Sequence, residues 1–199
     1  MKKVAFIKVT TIAVLFTSII MFFSSCQKDD DAFAGLASPE EKIETRSQPP
    51  TVPAILEVPA GNVVSFHVYA DGFQVYIVTE NPTGVFTWVL KAPDATLYGN
   101  SGFHGEVGTH YLGPTWESNS GSKVVGTRLQ GVTVDPNAIP WLLLGAVSSQ
   151  GPGILDGTTF IQRVNTVGGK APTTGANSST VGQEVSIAYT AEYYFYQAE

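Results

Sequence analysis

Beyond Thr51 the hydrophobic and polar positions alternate with a period of two, and no window of ten or more residues repeats apolar side chains at helical spacing. Val64, Phe66 and Val68 stand against Ser65, His67 and Tyr69, which predicts a strand. Asp71-Gly72 follows as a turn signal and Gln74 to Glu80 continues as a second strand, so the pair reads as a hairpin. Val85 to Leu90 carries aromatic and β-branched residues on both parities, predicting a strand buried on both faces that Ala92-Pro93-Asp94 terminates. Gly99, Gly102, Gly105, Gly108 and Gly113 make the stretch up to Pro114 a long loop with at most one short strand, and long ordered loops tend to carry function. Lys123 to Val134 alternates, Trp141 to Val147 is an unbroken apolar run, and Thr158 to Val164 alternates again. From Val185 onward, Ile187, Tyr189, Ala191, Tyr193 and Phe195 share one side of a strand that reaches Tyr196. Residues 52–199 therefore predict a single all-β domain, an antiparallel β-sandwich or a closed β-barrel, two architectures that share this alternation.

The stretch before it is patterned differently. Lys2 and Lys3 are positive, Val9 to Phe23 is apolar but shorter than the roughly 20 residues of a spanning helix, and Ser24-Ser25 precede Cys26. That is the order of a cleaved export signal over residues 1–25. Cys26 in this position resembles the lipobox cysteine of bacterial lipoproteins, which implies lipidation of Cys26 and attachment to a membrane. Each buried CH₂ contributes about 0.8 kcal/mol, so several acyl chains hold a protein firmly where one does not. Phe23 stands where Leu is usual, a departure that lipoproteins of the Bacteroidota tolerate. Gln27-Lys28-Asp29-Asp30-Asp31 resembles the signal that sends such lipoproteins to the outer face of the outer membrane, with a periplasm-facing orientation as the alternative. Residues 26–51 are acidic, polar and Pro-bearing and read as a tether, within which Ser38-Pro39-Glu40-Glu41 has the caps of a short helix.

Charge and cysteine content narrow the partners. With Lys2, Lys3 and Lys8 removed from a total of 11 Lys and Arg, 8 remain against 17 Asp and Glu. An excess of acid without a basic cluster excludes nucleic acid and anionic membrane surfaces as targets. Cys26 is the sole cysteine, so the domain has neither a disulfide nor a thiolate nucleophile.

Several constellations carry candidate chemistry. His104, Glu106 and His110 share parity and are types that bind Zn²⁺, Mn²⁺ or Fe²⁺, but Gly105 and Gly108 interrupt them; the leading expectation is no metal and no cofactor. Trp116 and Glu117 follow Gly113-Pro114 and precede Asn119-Ser120-Gly121, which predicts an indole exposed at a hairpin mouth beside a carboxylate, as in many sugar sites. Tyr111 and Tyr194 add stacking faces, and Asp71, Gln162 and Arg163 add hydrogen-bonding groups, while Trp88 and Trp141 sit in apolar runs and read as core. Arg163, beside Ile161, reads as the partner of Asp71, Glu117 or Glu192, with an anionic ligand as the alternative. A hydrolase would need two carboxylates across a cleft, and Asp71, Glu117 and Asp156 are the available ones. No serine lies in a Gly-x-Ser-x-Gly elbow, and neither Gly151-Pro152-Gly153 nor Gly168-Gly169-Lys170 has the context of a nucleotide loop.

Four motifs in order identify a resemblance over roughly residues 52–196. They are Ala70-Asp71-Gly72-Phe73-Gln74-Val75-Tyr76, Thr109 to Glu117, Ile139-Pro140-Trp141-Leu142-Leu143-Leu144, and Ile161 to Thr166 with Gly168-Gly169 and Ala171-Pro172. Together they resemble the secreted family known as domain of unknown function 3455, whose activity is uncharacterised. Relatives carry cysteines shortly after the Gln-x-Tyr and Gly-Gly-x-Ala-Pro motifs, so the resemblance implies that Val78 and Ala176, which stand in those neighbourhoods here, lie close together. The expected function is a non-catalytic surface module that binds a carbohydrate or a protein partner through the Gly99 to Gly121 region, using His110, Tyr111, Trp116, Glu117, Arg163 and Asp71. The alternative is a hydrolase of extracellular polysaccharides using Glu117 with Asp71 or His110.

Overall fold

A computed structural model describes residues 47–199. The export signal, Cys26 and the tether up to residue 46 lie outside the described residues. Eight strands make up the domain: β1 (Asn62–Glu80), β2 (Phe86–Tyr98), β3 (Glu106–Tyr111), β4 (Thr115–Ser118), β5 (Lys123–Val132), β6 (Trp141–Gln150), β7 (Thr158–Gly168) and β8 (Glu184–Ala198). Each pairs antiparallel with the next, and β8 pairs with β1, so the sheet closes into a barrel. Of the two architectures the alternation allowed, the closed one is realised, and every strand has a partner on both sides over at least part of its length.

Alternation becomes inside and outside. On β8, Tyr189, Ala191, Tyr193 and Phe195 face the interior and are buried, as their common parity predicts. On β1, Val68, Ala70, Gln74, Tyr76 and Val78 are buried at even positions. That parity runs unbroken through Asp71-Gly72, which is no turn: β1 is one strand of 19 residues. Gly72 is there because a Cβ would lie 2.3 Å from the Asp94 carbonyl oxygen, so the glycine marks a close approach of β2 inside a strand. Pro93 likewise does not end β2. Its missing N–H costs nothing because β3 pairs with β2 only from Ala95 onward, and a bulge at Lys91 absorbs the kink. Nor is the start of β2 buried on both faces, since Val89 and Leu90 are each about half exposed.

Two apolar clusters hold the barrel. The main one fills the interior around Trp116, Ile161, Tyr193 and Phe195, and includes Leu155 from the β6–β7 loop, whose N–H is bonded to Ser122 Oγ at 3.1 Å. The second lies outside β1, β7 and β8, where Val64, Val164, Tyr194 and Tyr196 are covered by Val52, Val58, Trp141 and Phe160. A short 3₁₀ turn, Ala54–Leu56, follows Val52, and Leu56 is fully buried, a contribution of about 1.5–3 kcal/mol. Its carbonyl accepts from Gln162 Nε2 at 2.6 Å, and Gln162 Oε1 accepts from Tyr196 Oη at 2.5 Å.

Candidate functional site

All eight strands contribute to the wall of a cavity of about 350 Å³ inside the barrel. Gln74 and Tyr76 come from β1, Leu90 and Pro93 from β2, His110 from β3 and Trp116 from β4. Arg128 comes from β5, Leu142 and Leu144 from β6, Arg163 from β7 and Tyr193 from β8, with Ile139 and Pro140 from the β5–β6 loop. Small inward residues let the wall close up: Gly72 faces Ala95 across β1 and β2, and a Cβ at Gly126 would stand 3.1 Å from the Trp116 ring. The barrel wall is low where β3 stops, which leaves Leu90 and Pro93 beyond its paired end.

The aromatic floor is ordered. His110 stacks on Trp116 with centroids 4.3 Å apart and 7° between planes, and Tyr193 meets the indole edge-on at 5.3 Å. His110 Nδ1 lies 2.9 Å from the Thr115 carbonyl oxygen, so Nδ1 carries the hydrogen and Nε2 is the bare nitrogen. Burial pushes the His110 ring down to about 3, against the pull of that carbonyl and with help from the charge on Arg163, so the ring is neutral at neutral pH.

The polar groups are incompletely satisfied. Arg163 donates from Nε and Nη2 to the Pro140 carbonyl at 3.1 and 2.9 Å, and among the described residues no carboxylate pairs with it. The expected ion pair with Asp71, Glu117 or Glu192 is therefore corrected: Arg163 faces inward with Tyr193, its cross-strand partner, whereas those carboxylates stand on the outer face. Among the described residues, four buried atoms have no hydrogen-bond partner: Gln74 Nε2, Trp116 Nε1, Tyr189 Oη and Tyr193 Oη. Leaving such a group unpaired costs about 1–3 kcal/mol. Burial raises the Tyr193 phenol and the nearby Arg163 charge opposes it.

The structure divides the residues the sequence singled out. His110, Trp116 and Arg163 converge on the cavity. Trp116 is not exposed at a hairpin mouth but 1 % accessible, because β4 turns its side chain inward opposite Gly126. Tyr111 and Glu117 lie on the outer face, where Tyr111 Oη donates to Glu117 at 2.7 Å and Lys123 Nζ stands 3.1 Å away. The Tyr111 bond and the Lys123 cation hold Glu117 below its ordinary value, and the same bond raises Tyr111. Asp71, Thr96, Thr109 and Glu117 are successive cross-strand partners, so Asp71 and Glu117 are three strand spacings apart, roughly 14 Å. Glycosidase carboxylates need about 5–9.5 Å. His110 faces the other side of the wall from Glu117 and cannot serve as its partner.

His104 and Glu106 are exposed while His110 is buried, so the weak metal set is not assembled. A bulge at Val107 breaks the parity that suggested it. Trp88 and Trp141 are half-buried rather than core. Trp88 donates to the Thr174 carbonyl at 2.8 Å, and Trp141 packs on the outer cluster. Trp88 is the cross-strand partner of Val78, whose backbone also bonds Gly182 and Gln183, so the β7–β8 loop lies along this end of β1. Gln74, Tyr193 and Arg128 were missed as site residues. The signal was present for Gln74, a polar residue at an inward position among Ala70, Tyr76 and Val78.

A model of the family described as protein of unknown function (DUF3455) matches residues 59–197. No curated protein and no solved structure matches the chain.

Proposed function

The chain belongs to the DUF3455 family of proteins of unknown function, and from that premise we propose that its barrel is a non-catalytic binding module that takes a small, largely apolar molecule between its strands. The observation that carries this reading is the cavity itself: apolar walls from Leu142, Leu144 and Ile139 surround buried polar atoms that lack partners. Small-molecule sites are of this size and composition, with a few placed polar groups in an apolar pocket. These walls favour an aliphatic or aromatic body over a glycan, and the carboxylates a hydrolase would use stand outside the cavity. The module is carried on a membrane by lipid on Cys26, in the manner of Bacteroidota lipoproteins and facing outward, a reading supported by residues 1–31.

The test is thermal unfolding of the full chain with 2-acetylnaphthalene, a neutral two-ring probe. At a hundred times its Kd such a ligand stabilises the native state by about 2.7 kcal/mol, and the midpoint rises accordingly. Leu142→Trp fills the cavity and abolishes the rise while the circular dichroism stays native. An unchanged rise in Leu142→Trp would place the probe elsewhere and remove the cavity reading.

A further inference from the structure

The cavity is unbalanced in charge and holds more hydrogen-bond donors than acceptors. Among the described residues no Asp or Glu lines it, yet Arg163 reaches it from β7 and Arg128 from the exposed end of β5. A guanidinium has five N–H donors, and the Pro140 carbonyl takes one from Nε and one from Nη2, leaving three on Arg163 without an acceptor among the described residues. Around it Gln74 Nε2, Trp116 Nε1 and Tyr193 Oη are buried beyond nine-tenths and have no hydrogen-bond partner among the described residues; the first two can only donate, the phenol donates or accepts, and His110 Nε2 is a bare acceptor beside them. Closure of the barrel forced them into one space: Arg163 and Tyr193 are cross-strand partners, and Tyr193 packs edge-on against Trp116.

A half-buried cation in an apolar wall is costly unless something completes it, and donors without acceptors call for an acceptor-rich group. We propose that the ligand of this cavity is an organic monocarboxylate, its carboxylate received by the remaining N–H groups of Arg163 together with the donors of Gln74 and Tyr193, and its apolar body lying against Trp116, Leu142 and Leu144. This rests on the cavity reading above. A single negative charge matches Arg163, since the other guanidinium of the cavity, Arg128, is exposed to solvent at the rim, and the planar fork of Arg suits a carboxylate. At roughly 30 Å³ per non-hydrogen atom, the share of a water in the liquid, the space holds about a dozen such atoms.

The experiment is calorimetric titration of the full chain with naphthalene-2-carboxylate and with naphthalene-2-carboxamide, which have the same size and shape and differ in charge. A charge-assisted hydrogen bond in place of a neutral one makes the carboxylate about tenfold tighter in the wild type. Arg163→Gln brings the carboxylate down to the affinity of the carboxamide, Arg163→Lys keeps part of the preference, and Arg128→Gln, at the rim, keeps most of it. Equal affinity of the two probes in the wild type overturns the carboxylate inference and leaves the cavity reading standing, whereas binding of neither overturns both. A preference that survives in a natively folded Arg163→Gln removes Arg163 from the role. Should that variant fail to fold, the wild-type pair of titrations still decides.

Discussion

His110 ties the site to the acid stability of the protein. Unfolded, its ring titrates near 6.5; folded, burial against Trp116 holds it at about 3. Between these values the unfolded chain binds a proton that the folded one refuses, so the stabilisation is complete above about pH 6.5 and is lost as pH falls toward 3. The slope approaches about 1.4 kcal/mol per pH unit. Urea unfolding at pH 6 and pH 4 should show wild type losing more stability over that interval than His110→Gln, and parallel losses would refute the assignment. At this scale the sequence was half legible. Residue type singled out His110, Trp116 and Arg163, and all three line the cavity. Local surroundings pointed to the wrong indole: Trp88 and Trp141 sit in apolar runs yet are half-buried, whereas Trp116, beside Glu117, is buried because its ring packs over Gly126.

Each strand carries its chemistry through parity, and parity holds until a bulge or a missed continuation breaks it. The break at Val107 separated Glu106 from His110, while the continuity of β1 through Gly72 turned an expected hairpin into one long wall of the cavity. The pairing of β4 with β5 depends on Gly126, whose missing side chain admits the Trp116 ring. Gly126→Val should cost about 1–3 kcal/mol through overpacking, seen as a lower midpoint in urea with an unchanged slope. A neutral outcome would mean that β4 has room to shift. The N-terminal segment makes a comparable contribution from outside: Leu56→Ala should cost about 2–5 kcal/mol, since Leu56 is fully buried and its carbonyl anchors Gln162.

Closure makes the molecule one unit. β1 and β8 stand near opposite ends of the domain sequence, and their seam runs from Asn62 paired with Ala198 to Ile77 paired with Glu184. Loss of that seam exposes the interior on both sides, so unfolding should be a single transition, with aromatic and peptide circular dichroism coinciding. A separate early aromatic transition would show that the cavity end opens alone. What the sequence by itself determined is local: a period of two that makes strands, an inward parity such as that of Tyr189 to Phe195, and a sole cysteine that forbids an internal disulfide. Only the tertiary structure decided that the sheet closes, that the Arg163 face meets Tyr193 rather than a carboxylate, and that residues from all eight strands line one cavity. Periodicity reports the neighbours a residue has along its own strand, whereas closure and cavities are set by pairings between positions more than a hundred residues apart, such as Phe66 with Phe195.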